Sequence, residues 1–242
     1  MRIARTAIFL SGLAFAAVAA AVPAAAAAPD AAAPPAQPAI IDGSTADSLH
    51  AAARMFAGGQ ELCSATIIAP GWILTARHCT QGANGQQITF HVGDLDQTRG
   101  TEVRATSVHE APDADIALVQ IDQQVQTEYA PLGTTGDVNV GDQAQVYGWG
   151  ATCTDQPEIN CQSQVLKVAN VQVASTDCPD GAAGVSVCAT RIDGITAGGD
   201  SGGPMYANGK QVGVASTSDR QSYTAYINVT QYRDWIRSVA GV

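Results

Sequence analysis

The sequence predicts an all-β fold, a sandwich or a barrel, finished by one C-terminal helix. Three observations lead there. Short runs rich in Val, Ile and Thr recur between clusters of Gly, Pro and Asp, which is the punctuation of successive short strands. A single stretch carries a helical period: Tyr232, Trp235, Ile236 and Val239 fall at i, i+3, i+4 and i+7 and make one apolar stripe, with Thr230 placed to act as N-cap. Aromatic residues are only 5% of the chain, so the core must rest on Val, Ile, Leu and Ala.

Taken in order, residues 1–28 read as a secretory signal peptide. Arg2 and Arg5 form a positive start, Ala7 to Val22 is almost wholly apolar, and Ala24 to Ala28 offers an Ala-x-Ala cleavage site. The apolar run is short, is broken at Pro23 and is followed by an Ala/Pro tract without basic residues, which argues against a membrane span. Residues 29–39 are low-complexity Ala/Pro and read as a short pro-segment cut after Ala39. Residues 40–242 are long enough for one domain with a sizeable core.

Within that domain the expected strands are Leu62 to Ala69, Gln87 to Val92, Thr101 to His109, Asp115 to Ile121, Gln143 to Tyr147, Val165 to Val173, Gln211 to Thr217 and Tyr223 to Val229. The polar stretch Gln123 to Gly136, with its Pro and Gly, marks a boundary between two halves. The net charge of −10 argues against nucleic acid or anionic lipid as partners and favours solubility after secretion. The six cysteines lie beyond the signal peptide, an even number in a secreted chain, so disulfides are expected, with their connectivity open. A zinc site is the weaker alternative, because the chain has neither a CxxC pair nor HExxH.

Three segments carry chemistry. Gly199-Asp200-Ser201-Gly202-Gly203-Pro204 sets a serine among glycines, Thr75-Ala76-Arg77-His78-Cys79 sets a histidine after an apolar stretch, and Asp115-Ile116-Ala117-Leu118 sets an aspartate before another. A serine hydroxyl is a weak nucleophile that needs a base in reach and a third group to orient that base. His78, Asp115 and Ser201 supply these in the chain order His, Asp, Ser, distinct from the orders found on unrelated folds. With Ile40-Ile41-Asp42-Gly43, the 16-residue spacing of Cys63 and Cys79, Gly148-Trp149-Gly150 and Asp234-Trp235-Ile236, the chain resembles the chymotrypsin/trypsin family of serine proteases from position 40 almost to its end. That family is a standard worked example of triad catalysis.

The resemblance implies two six-stranded antiparallel β-barrels, about 40–125 and 126–242, the latter range including the C-terminal helix, with a catalytic cleft between the barrels. It implies a secreted, monomeric serine endopeptidase with His78, Asp115 and Ser201 as triad and the Gly199 and Ser201 amides as oxyanion hole. Its partners would be polypeptide substrates and protein protease inhibitors, and no metal or organic cofactor is implied. Asp113 is the rival of Asp115 but lacks the apolar run directly after it. Ile40 would be the new N-terminus of an activated zymogen, its ammonium pairing with Asp200. Cys63–Cys79 and Cys178–Cys188 would match family bridges, and Cys153–Cys161 would be a local clip outside the family pattern. Asp94 and Asp96 are the acidic residues near the family's calcium loop, and a hairpin turn explains them better.

For the specificity pocket the resemblance points to Ile195 at the base and to Thr196, Ser216, Thr217, Ser218 and Thr224 as walls. Isoleucine at the base, and threonine where the family often has glycine, favour small or medium apolar side chains. Basic specificity would have to come through Asp193. The competing readings are a disarmed binding module on a protease scaffold, against which all three triad residues stand, and the α-lytic type of bacterial protease. The Ile40-Ile41-Asp42-Gly43 start after a short tract counts against the latter.

Overall fold

The computed structural model describes residues 40–179 and 181–242; the expected signal peptide and pro-segment lie outside them. The first barrel is built from β2 (Ala52–Ala57), β3 (Gln60–Ala69), β4 (Trp72–Thr75), β5 (Ile88–Val92), β6 (Thr101–Glu110) and β7 (Ala117–Ile121). It closes in the order β2-β3-β4-β7-β6-β5. The second is built from β8 (Gln143–Gly148), β9 (Lys167–Pro179), β10 (Val185–Arg191), β11 (Pro204–Ala207), β12 (Lys210–Ser218) and β13 (Tyr223–Asn228). Its order is β9-β10-β13-β12-β11-β8, and pairing of β8 with β9 shuts it. All pairings within the barrels are antiparallel. Closure leaves no unpaired strand edge, which an open sheet of such short strands would expose.

Where one face meets solvent, the strands alternate between buried and exposed positions. In β5, Ile88, Phe90 and Val92 are buried while Thr89 and His91 are half-exposed. Four barrel strands were not anticipated, among them the short β4, buried but for Trp72. β2 is buried at every position, so its Ala-Ala-Arg-Met-Phe-Ala has no polar face to announce it. β11 opens on Pro204, and β10 is interrupted by a bulge around Cys188. Expected strand Asp115 to Ile121 starts two residues later, at Ala117, leaving Asp115 on a loop.

The segment after residue 40 does not join the first barrel. β1 (Ser44–Thr45) pairs with Val168 and Lys167 of β9, and Ile40 is fully buried in the core of the second barrel with Val146, Val171 and Val187. At the other end, Thr230 is not the cap of the terminal helix. The Asn228 side chain caps a 3-10 turn at Val229–Gln231 by accepting from the Thr230 amide, and the Thr230 hydroxyl donates to the same oxygen. The helix α2 (Arg233–Ala240) follows with Tyr232 at its N-cap position. Asn wins because its carbonyl reaches the N–H two residues on. The apolar stripe behaves as expected: Ile236 is buried, and Tyr232, Trp235 and Val239 pack against the main core.

Disulfides join Cys63 to Cys79, Cys153 to Cys161 and Cys178 to Cys188. The first ties β3 to the short helix α1 (Arg77–Gly82). No described helix is long and apolar enough to cross a membrane.

Candidate active site

The three chemistry-bearing side chains come from three separate connections. His78 sits on the first turn of α1, Asp115 on the loop entering β7, and Ser201 on the turn entering β11. His78 and Ser201 line one cleft of about 310 Å³ fed by both barrels. Asp115 lies behind His78, 1% exposed. Its Oδ1 accepts the His78 backbone N–H at 2.8 Å, and its Oδ2 is 2.7 Å from ring Nδ1. That contact assigns the Nδ1 proton to the Asp115 side and leaves Nε2 as the lone-pair nitrogen. Asp113 is exposed.

A third donor, Ser216 Oγ, reaches Asp115 Oδ2 at 2.7 Å. Burial pushes the Asp115 carboxyl up, but the His78 ring, the Ser216 hydroxyl and the His78 amide outweigh it and hold it below the usual carboxylate range. Ser216 was expected only as a pocket wall; it lines the cleft and also braces this aspartate. Ser216→Ala is expected to cost about 1.5–3 kcal/mol, the usual worth of a hydrogen bond to a charged group. Because Asp115 is held below its unfolded value, its contribution is present above that value and lost as pH falls through the folded one. The variant should therefore unfold at a higher pH in an acid titration followed by circular dichroism.

The Ser201 turn is pinned from both barrels. The Ser201 carbonyl accepts the Ser64 N–H from β3 at 2.9 Å, and the Gly202 N–H donates to Ala215 O of β12 at 2.8 Å. Gly202 sits at φ +79°, and a Cβ there would run into the Ser64 carbonyl, so only glycine closes this turn. Among the described residues, the Gly199 and Ser201 amides donate to no protein acceptor.

Asp200 is fully buried. It accepts the Gly150 N–H at 2.7 Å and the Ala197 N–H at 2.9 Å. Burial nevertheless dominates over these two amides and the Arg54 charge, and pushes its carboxyl up to about 7. Ile40 lies in the second-barrel core, with its nitrogen in a peptide bond in the intact chain. The next residue reaches the site region: Ile41 O accepts the Ile195 N–H at 3.0 Å and Ile41 packs with Ala197.

Of the expected pocket residues, Ile195 bridges to Ile41 and lies fully buried beside Ala151 and Ala197, behind the residues that line the cleft. Thr196, Ser216, Thr217 and Ser218 do line it, together with Ala197, Gly198, Ala215 and Arg220. Thr224 is buried beneath, its hydroxyl 2.8 Å from that of Thr196 and donating to Thr217 O. Asp193 is exposed, takes both Asn170 donors and stands outside the cleft. At the rim, Arg220 Nε donates to Glu158 at 2.5 Å, an ion pair between residues 62 positions apart that no local motif announces.

The one grouping of described residues close enough to hold a metal is Cys63, His78 and Cys79, and both its sulfurs are consumed by a disulfide. The Asp94 and Asp96 carboxylates are already engaged, by the Asp96 and Thr98 amides and Arg99 in their own turn and by Gln164 Nε2 on Asp96.

Comparison with known proteins gives a consistent result. The family model described as Trypsin matches residues 40–236. Brachyurin of Leptuca pugilator is 31% identical, over 78% of this chain and 92% of its own. The thrombin-like enzyme acutin of Deinagkistrodon acutus is 30% identical, over 74% and 86%. Among solved structures, human heparin binding protein superposes with a TM-score of 0.72 at 24% identity, over 83% of this chain and 96% of that one, a likeness of fold.

Proposed function

The chain belongs to the trypsin family of serine endopeptidases, and from that premise we propose that it cleaves polypeptides through Ser201, His78 and Asp115 after small side chains. The observation that carries this reading is the double grip of Asp115 on the His78 amide and ring, in the cleft that Ser201 lines. With Nδ1 committed to Asp115, His78 Nε2 takes the Ser201 proton as Oγ attacks the scissile carbonyl, then returns it to the leaving amine. Water repeats the sequence on the acyl-enzyme. Asp115 stabilises the imidazolium and stays ionised, as its lowered pKa supports. The unpartnered Gly199 and Ser201 amides receive the negative charge that develops on the carbonyl oxygen.

The preference for small side chains rests on the cleft lining, which is Thr, Ser, Ala and Gly up to the Arg220 rim, closed below by the Thr196–Thr224 hydroxyl pair. The enzyme acts outside the cell as a monomer, open to protein protease inhibitors that occupy the same cleft. Three disulfides and no free cysteine among the described residues support the oxidising compartment.

A mixed peptide library, read by mass spectrometry, tests both activity and preference. Cleavage after Ala, Ser, Thr or Val is expected; cleavage confined to Arg and Lys, or none, defeats the reading. Thr224→Gly removes half of the hydroxyl pair and is expected to shift cleavage toward larger side chains, by about tenfold per one or two methylenes accommodated. An unchanged preference in that variant would place the pocket floor elsewhere.

A further inference from the structure

We propose that Arg54 and Gln162 are positioning residues that aim the Gly199 amide at the reacting carbonyl, with the Cys153–Cys161 loop as their anchor. This rests on Gly199 being an oxyanion donor, as read above. A trans peptide points its C=O and N–H in opposite directions, so whatever holds the Gly198 carbonyl sets the Gly199 N–H. That carbonyl is held twice, by the Ala151 N–H at 2.8 Å and by Gln162 Nε2 at 2.9 Å. The next carbonyl, of Gly199 itself, is also held twice, by Arg54 Nη1 at 3.0 Å and Ser64 Oγ at 2.9 Å. Both peptide planes flanking Gly199 are thus fixed from outside the segment.

The two holders are joined. Arg54 Nη2 donates to Gln162 Oε1 at 2.9 Å, so one guanidinium fork spans the reactive segment and the side chain that braces it. Gln162 Nε2 also reaches Glu158 O at 2.9 Å, inside the turn clipped by Cys153–Cys161. The Gln162 Oε1 atom fills the space where a Cβ at residue 199 would stand, and Gly199 lies at φ +97°. No other residue type fits this seat.

Arg54 is the costly part. It is 0% exposed, in a strand otherwise made of Ala, Met and Phe. Its nearest carboxylate is Glu61 at 3.7 Å, and its Nε has no partner. An apolar residue would serve a core strand better than a buried cation, because desolvation offsets most of the ion pair's gain. The fork onto Gly199 and Gln162 is what an apolar residue cannot supply.

The test compares Gln162→Met, which removes both brace bonds, with Gln162→Glu, which keeps the acceptor for Arg54 and loses the donor to Gly198. Rates are counted per active site, titrated with a fluorophosphonate. In both variants kcat is expected to fall roughly 10- to 100-fold with KM within about twofold, the size of a misaimed oxyanion donor. Affinity for a peptide aldehyde, whose adduct carries the oxyanion, should fall in parallel, while affinity for the cleaved peptide product holds. Arg54→Lys, keeping the charge without the fork, should lose less than Arg54→Met. Wild-type kcat per titrated site in Gln162→Met, even with a lowered melting temperature, overturns the brace alone. A wild-type protein that takes up no fluorophosphonate overturns the triad reading and the brace with it.

Discussion

Ser201→Ala is expected to lower kcat/KM on any cleaved peptide by about 10⁴-fold or more and to abolish fluorophosphonate uptake. The hydroxyl is the atom that bonds to the substrate, so no neighbour replaces it, and residual turnover would come from the oxyanion donors and binding alone. His78→Ala should cost nearly as much, because Ser201 then has no base in the cleft. The double variant should be no worse than either single one, since the two act as a unit. Folding should survive in both: the Ser201 turn is held by backbone bonds to Ser64 and Ala215 that do not involve the hydroxyl, and His78 is partly exposed in the cleft. Labelling that persists in Ser201→Ala at the wild-type rate would move the nucleophile elsewhere.

The sequence made the local parts of this site legible and left the long-range ones hidden. Strands such as β5 were readable from their Val/Ile/Thr-rich runs between turn residues, and the apolar stripe of α2 from its helical period. β2 was not, since its Ala-Ala-Arg-Met-Phe-Ala holds no Val, Ile or Thr and is buried on both faces, and nothing around Arg54 in the chain marks it as a brace. The residues expected to carry the chemistry could be singled out because each sits in a contiguous motif, and the structure places His78 against Asp115 and His78 with Ser201 in one cleft. The supports were missed because they depend on approach between distant segments: Ser216 reaches Asp115 across 101 positions, and Arg54 reaches Gly199 across 145. Ile195 is a related case: a count back from Ser201 fixes its position in the chain, while its full burial and its bridge to Ile41 depend on a distant segment.

Freeing the α-amino group of Ile40 is expected to move the pH-dependent loss of stability from the acidic to the alkaline range. In the intact chain Asp200 is buried with a carboxyl pushed up to about 7, against an ordinary value of 3.8. The native state then holds a proton that the unfolded chain has released, so stability falls as pH rises from about 4 through about 7 and is flat above. After cleavage beyond Ala39, the new ammonium gives Asp200 a buried partner and the carboxylate ionises. The amine's folded value then lies above its ordinary value of about 7.7–8.0, so its stabilisation is full below that range and lost as pH rises through the folded value. Urea unfolding on the Ser201→Ala background, which cannot digest itself, separates the two. The chain with an uncleavable extension before Ile40 should weaken between pH 5 and 7, and the chain beginning at Ile40 should weaken only in the alkaline range. Asp200→Asn should erase both slopes. In the active background the extended chain should run at least about 10²-fold slower, the usual loss for one misplaced oxyanion donor, because an uncompensated Asp200 unsettles the amides on either side of it. Full activity with the extension in place, or matching pH profiles for the two chains, would detach Ile40 from the site and leave the brace of Arg54 and Gln162 as the device that orders Gly199.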